Sequence, residues 1–161
     1  MRFFKALQNF IKLSLALIFA LGAFFCVKAA HISRLSFLSG ERAYYLDSAS
    51  SQSLIKTKLT AWDLFRVKGE SVSFTLNLTE ETEETEETEE TEAKEDFARA
   101  LVSRYGGEIL FTEEVCGTVS YYAYIPTWGQ GITLYGKQVN LHIAVSESQC
   151  KVGTPIIFGG F

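Results

Sequence analysis

Between Ser71 and Leu78 apolar and polar residues alternate one for one: Val72, Phe74, Leu76 and Leu78 against Ser71, Ser73, Thr75 and Asn77. Side chains of an extended chain point to opposite faces in turn, so this rhythm predicts a strand with one buried and one wet face. The rhythm returns twice downstream. Val119, Tyr121, Ala123 and Ile125 alternate with Thr118, Ser120, Tyr122 and Tyr124, and Val139, Leu141, Ile143 and Val145 enclose Asn140 and His142. In between, the period changes. Phe97, Ala98, Leu101, Val102 and Tyr105 recur at i, i+1, i+4, i+5 and i+8, the single apolar stripe of a helix packed on one side. Gly106-Gly107 closes it where a left-handed residue is wanted.

The remaining segments fit the same scheme. "AYYL" (Ala43–Leu46) is strand-like, and "LFRV", "KGE" and "SVSFTLNL" read together as a hairpin. After the helix come the strand patterns Glu108–Glu114, Gly117–Ile125, Ile132–Tyr135, Lys137–Val145 and Lys151–Phe158, with turns at "PTWGQG" and "YGK". Short links in the order β-β-α-β-β-β-β imply an α+β fold: an antiparallel sheet of about five to six strands, with one helix on one face. The helix covers the face of Val119, Tyr121, Ala123 and Ile125.

The N-terminus follows different rules. Arg2, Lys5 and Lys12 precede fifteen uncharged apolar residues, Leu13–Val27, and "VKA" (Val27–Ala29) offers small residues where a signal peptidase reads. Residues 1–30 are thus a signal peptide or a membrane anchor, and the run is short for a permanent span. Phe24 and Phe25 before Cys26 exclude a lipobox. On either reading the positive flank stays in, and residues 31–161 are extracytoplasmic, secreted or held at the membrane only through residues 1–30. Residues 31–42 read as a tether hinged at Ser39-Gly40, and 43–161 as the α+β domain.

Charge is segregated along the chain. The tract "TEETEETEETEETE" (79–92) carries nine of the nineteen acidic residues. Glu beside Glu at i+3 disfavours helix, so 79–92 reads as a solvated, disordered insertion whose last turn alone joins the helix. Beyond residue 30 the chain holds eleven bases against nineteen acids, which argues against nucleic acid as a partner.

Cys116 and Cys150 survive removal of a signal. They form either a disulfide, permitted outside the cytoplasm, or two separate thiols. With no CxxC and only His31 and His142, no metal-ligand set is present, and no cofactor fingerprint occurs.

The face opposite the helix carries the candidate chemistry. Ser120, Tyr122, Tyr124, Asn140 and His142, flanked by Trp128, present hydrogen-bonding and aromatic groups together, either as a partner-binding surface or as an ordinary wet side of a sheet. Ser120 and His142 lie on strands that can be neighbours. With no nucleophile elbow and no acid near His142 in sequence, catalysis is not expected.

"GTVSYYAYIP", "LYGKQVNLHIAV" and "VGTPIIFGG" resemble the YwmB-like family of Firmicutes, well over residues 105–161 and loosely over 40–161. The resemblance implies an extracytoplasmic α+β domain with a curved, helix-covered sheet like that of the TATA-box-binding protein, in cell-envelope surroundings. It carries over no catalytic residue. The expectation is therefore an exported, non-enzymatic envelope domain that binds a protein or cell-wall glycan through the polar aromatic face. The alternative is an assembly module that pairs by a sheet edge, and an envelope hydrolase comes third.

Overall fold

A computed structural model describes residues 2–32, 34–48, 52–76, 86–146 and 149–158. The chain divides into two compact units, Met1–Ser33 and Arg34–Phe161.

The first unit is a single helix, α1 (Arg2–Ile32). Its stretch Leu7–Ala29, 23 residues of mean hydropathy 2.4, is long and apolar enough to cross a membrane. At 1.5 Å per residue it measures about 35 Å, against a hydrocarbon core of about 30 Å. The apolar run read from sequence, Leu13–Val27, is only the middle of this helix. Both signal sequences and anchors have this form.

The second unit is α+β, as the alternation implies. Its strands are β1 (Glu41–Leu46), β2 (Leu54–Lys56), β3 (Val67–Thr75), β4 (Glu108–Val115), β5 (Thr118–Tyr124), β6 (Ile132–Leu134), β7 (Lys137–Val139), β8 (Leu141–Val145) and β9 (Gln149–Thr154). Seven form one sheet in the order β2-β1-β3-β9-β8-β5-β4, and β6 and β7 form a separate hairpin. Every pairing is antiparallel. The helix α2 (Glu86–Arg104) packs over β4 and β5.

The core lies between α2 and one face of the sheet. Ala98, Leu101 and Val102 meet Tyr121, Ala123, Ile125, Leu141, Ile143, Val145, Cys150, Val152 and Val72. Phe97 and Tyr105 complete the helical stripe, and Phe74 and Leu76 extend the β3 face. Burial of large apolar side chains at about 25 cal/mol per Å² is what holds the helix down.

Four sequence expectations change. The hairpin expected at "KGE" does not exist: Val67–Thr75 is one strand paired with β1 and β9. Gly69 is there because a Cβ would stand 2.6 Å from the Thr154 carbonyl oxygen, not because the chain turns. The run Lys137–Val145 is two strands in two sheets, broken at Asn140. The last strand ends at Thr154, not Phe158, and residues 155–158 leave the sheet after a cis Thr154–Pro155 peptide. Finally, the acidic tract is helical from Glu86 to Glu92, one turn earlier than expected, while 79–85 lie outside the described residues. Carboxylates in the first turns of a helix meet the positive end of its dipole, which offsets their mutual repulsion.

Residues 34–40 are not a free tether. Leu35 is fully buried and its N–H donates to Glu70 Oε1 at 2.9 Å. Arg42 donates to the carbonyls of Leu35 and Leu38 at 2.8 and 2.7 Å, and Gly40 lies against the Ser73 carbonyl. A turn with its peptides bonded into the sheet belongs to the domain.

Candidate functional site

The helix-free face is built across β4, β5 and β8. Register sets Phe111 opposite Tyr122 and Tyr122 opposite His142. Their rings stack in sequence, centroids 4.6 and 4.4 Å apart and 20° and 17° from parallel. The Tyr122 hydroxyl donates to Glu113 Oε2 at 3.0 Å, and Tyr135 meets Phe111 edge-on at 5.5 Å. Burial, then the Glu113 carboxylate, pushes the Tyr122 phenol up to about 12, so it stays protonated.

His142 is not a surface group. It is 7 % exposed, and residues 155–158 fold back over it, so that the Ile157 N–H donates to His142 Nδ1 at 3.3 Å. Its Nε2 has no hydrogen-bond partner among the described residues. Burial first, and Lys151 second, pull the imidazole down to about 4, which leaves it neutral at pH 7. Gly153, opposite His142, is the seat of Ile157: a Cβ there would lie 2.8 Å from the Ile157 side chain.

Asn140 is 0 % exposed and all its side-chain bonds are structural. Its Oδ1 accepts from the Ile125 N–H, and its Nδ2 donates to the carbonyls of Ile125 and Gly129, each at 2.8 Å. This clamp is why the chain breaks between β7 and β8. Trp128 is likewise buried, its ring 5.3 Å from Tyr105 in the core. Of the six candidate binding residues, the structure thus leaves Ser120, Tyr122 and Tyr124 half-buried at the surface, and encloses Asn140, His142 and Trp128.

Nor does the register make Ser120 a partner of His142. Ser120 lies opposite Ala144, one diagonal step away. Asp63 is engaged by Lys56 and Thr60 and Asp47 by Arg66, so neither orients the imidazole. Among the described residues no cluster of His, Cys, Asp and Glu could hold a metal ion.

Of the two readings of the cysteines, the structure has the separate thiols. Cys116 and Cys150 are both free thiols. Cys116 is exposed in the two-residue turn between β4 and β5, where Cys116 and Gly117 have φ 51° and 75°. Cys150 is enclosed in the core two strands away, in the row Cys150, Val145, Val119. Two strand spacings of about 4.8 Å exceed the ~7 Å reach of a disulfide between Cα atoms. Burial pushes the Cys150 thiol up to about 12.

A feature with no sequence signature lies at the other end of this sheet. β4 is its last strand, so among the described residues no strand pairs with its outer side. Between that edge and α2 runs a groove of about 420 Å³, lined by Arg99, Val102, Ser103, Ile109, Thr112 and Tyr121. Val102 and Tyr121 form an apolar floor, and Arg99, paired with Glu95 at 2.7 Å, forms a polar wall.

Against protein-family models, curated proteins and solved structures, the chain finds no match.

Proposed function

We propose that this is an exported or membrane-anchored, non-enzymatic domain that captures an extended segment of an envelope protein along β4, beside α2. The YwmB-like resemblance, the envelope location and the outward orientation of residues 34–161 belong to the same reading. One observation carries it: an eight-residue strand ends the sheet with an open groove between its edge and a helix. That is the geometry in which a peptide adds a strand, with main-chain bonds giving affinity and alternate side-chain pockets giving selectivity. The bulge between Ile109 and Phe111 interrupts the ladder, so the useful edge runs from Phe111 to Val115. Every second side chain of the added strand falls between α2 and β4, where the floor of Val102, Ile109 and Tyr121 suits an apolar residue.

The polar aromatic face is the second reading. It is favoured by Tyr135, 81 % exposed on the outer side of Phe111, with Tyr122 and Tyr124 beside it. A glycan partner would stack there.

Selection of peptides from a displayed library on the full chain, followed by amide hydrogen exchange of the complex, separates the two. Edge capture predicts new protection confined to Phe111–Val115, and loss of binding when Ser103→Trp fills the groove. Protection of Ser120–Tyr124, indifferent to Ser103→Trp, would move the site to the aromatic face. Retention of no peptide at all would sink both as peptide-binding readings.

A further inference from the structure

The corner of the sheet farthest from β4 has an unusual surface. Within residues 52–68, Leu54, Ile55, Trp62 and Phe65 are all exposed large apolar side chains, Trp62 at 81 %. The Trp62 and Phe65 rings lie 6.4 Å apart on a tight turn. That turn is fixed to β2: the buried Asp63 carboxylate takes Lys56 Nζ at 2.8 and 2.9 Å, and the Thr60 N–H and hydroxyl at 2.9 and 2.8 Å. Hydrogen bonds from Lys56 first, and Thr60 next, keep Asp63 ionised far below the usual carboxylate range. The exposed rings therefore stand on a rigid mount.

Charge at this corner runs against the rest of the domain. Residues 34–161 hold eleven bases and nineteen acids, yet residues 52–68 hold Lys56, Lys58, Arg66 and Lys68 against Asp63 alone. Lys58 and Lys68 are exposed and form no salt bridge among the described residues, while Arg66 faces Asp47 at 2.7 Å. The acidic start of α2 belongs to the helix over β4 and β5, at the opposite edge of the sheet. This corner thus sets exposed lysines beside aromatic rings, while the far edge strand β4 carries Glu108, Glu113 and Glu114.

Aromatic rings with an apolar body, interleaved with lysines whose stems are apolar and heads charged, match the boundary layer of a bilayer. Lys and Arg near an anionic surface each add favourable attraction that decays within a Debye length. An acidic far side would be repelled by the same surface and would orient this corner toward it. A protein partner would need acidic groups set to match; a lipid surface needs only negative charge.

We propose that β2 and the 60–66 turn dock on an anionic lipid surface, with Trp62 and Phe65 in the headgroup layer and Lys58 and Lys68 against phosphates. This goes beyond peptide capture at β4 and leaves that edge free.

The two tryptophans make the test direct, because Trp128 is buried in the core and Trp62 is exposed. The full chain is reconstituted in phosphatidylglycerol-containing or purely phosphatidylcholine vesicles, each with brominated acyl chains that quench indole fluorescence. Docking predicts quenching in the anionic vesicles, weak quenching in the neutral ones, and none in Trp62→Phe. Each of Lys58→Gln and Lys68→Gln should lower the docked-to-free ratio about five-fold, with an additive effect in the double variant. Equal quenching in both lipids, or undiminished quenching in Trp62→Phe, would overturn the proposal. So would a Trp62 that stays open to an aqueous quencher in anionic vesicles, which would leave the corner to water or to an acidic protein partner. The Lys variants alter only exposed side chains, so a loss of docking with unchanged melting does not reflect misfolding.

Discussion

The ring of His142 lies flat against that of Tyr122, 4.4 Å away across the β5–β8 pair, and its Nδ1 accepts the Ile157 N–H from the chain's own C-terminal segment. The imidazole is thus packed as an aromatic wall and must be neutral to remain so. Its folded value near 4 lies below the ~6.5 of an exposed histidine, so the unfolded chain takes up the proton first. The stability this contributes is complete above about pH 6.5 and is lost as pH falls from 6.5 toward 4, roughly 3 kcal/mol in all. Urea unfolding at a series of pH values should show that slope. Glu70 works with the opposite sign, because burial raises its carboxyl and its share weakens as pH rises through that value. The His142 share is therefore read by difference. His142→Phe keeps the stack and should flatten the slope between pH 6.5 and 4. An unchanged slope in the variant would assign the acid loss elsewhere.

Asn140 bonds two segments at once, the end of β5 at Ile125 and the loop at Gly129. Asn140→Ala leaves a buried N–H and two carbonyls without partners. We expect a loss of roughly 2–4 kcal/mol, seen as a lower urea midpoint with an unchanged slope. A loss below about 1 kcal/mol would mean that water replaces the clamp.

The two thiols of the domain should differ in kind. Cys116 sits exposed in a turn, and Cys150 is enclosed with its thiol held protonated. Alkylation of the folded chain followed by peptide mapping should find Cys116 modified and Cys150 untouched until the chain is unfolded. Reductant should leave the melting temperature where it was. A linked Cys116–Cys150 peptide from oxidised material would contradict the separation of these strands.

Local rules made some of this visible in the sequence and hid the rest. The stripe from Phe97 to Tyr105 and its Gly106 stop are set by periodicity within one element, and they appear as expected. The alternation in β3, β5 and β8 likewise assigned the helix-covered face residue by residue. What alternation cannot say is what lies on the other face. Asn140 and His142 looked wet because nothing nearby in sequence covers them; their cover comes from Gly129 and Ile157, eleven and fifteen residues away. Gly69 imitates a turn for the same reason, since its neighbour Thr154 is remote in the chain. β2, three residues long with two exposed apolar side chains, has no period to detect. The groove beside β4 depends on strand order, which no single strand's pattern encodes.

Glu70 gives the last prediction, at the junction where the domain begins. It is 2 % exposed, accepts the Leu35 N–H, and lies 3.5 Å from Arg42, which in turn holds the Leu35 and Leu38 carbonyls. Because burial already favours its protonated form, the carboxyl acts here mainly as an acceptor within a hydrogen-bonded clamp. Glu70→Gln keeps that acceptor and should lose about 1 kcal/mol or less. Glu70→Ala leaves the buried Leu35 N–H and the half-buried Arg42 guanidinium short of a partner, and should lose roughly 2–4 kcal/mol. It should also open the turn, so that limited proteolysis cuts between residues 34 and 40 before the sheet unfolds. Equal losses for Gln and Ala would show that the negative charge, and not the hydrogen bond, secures the turn.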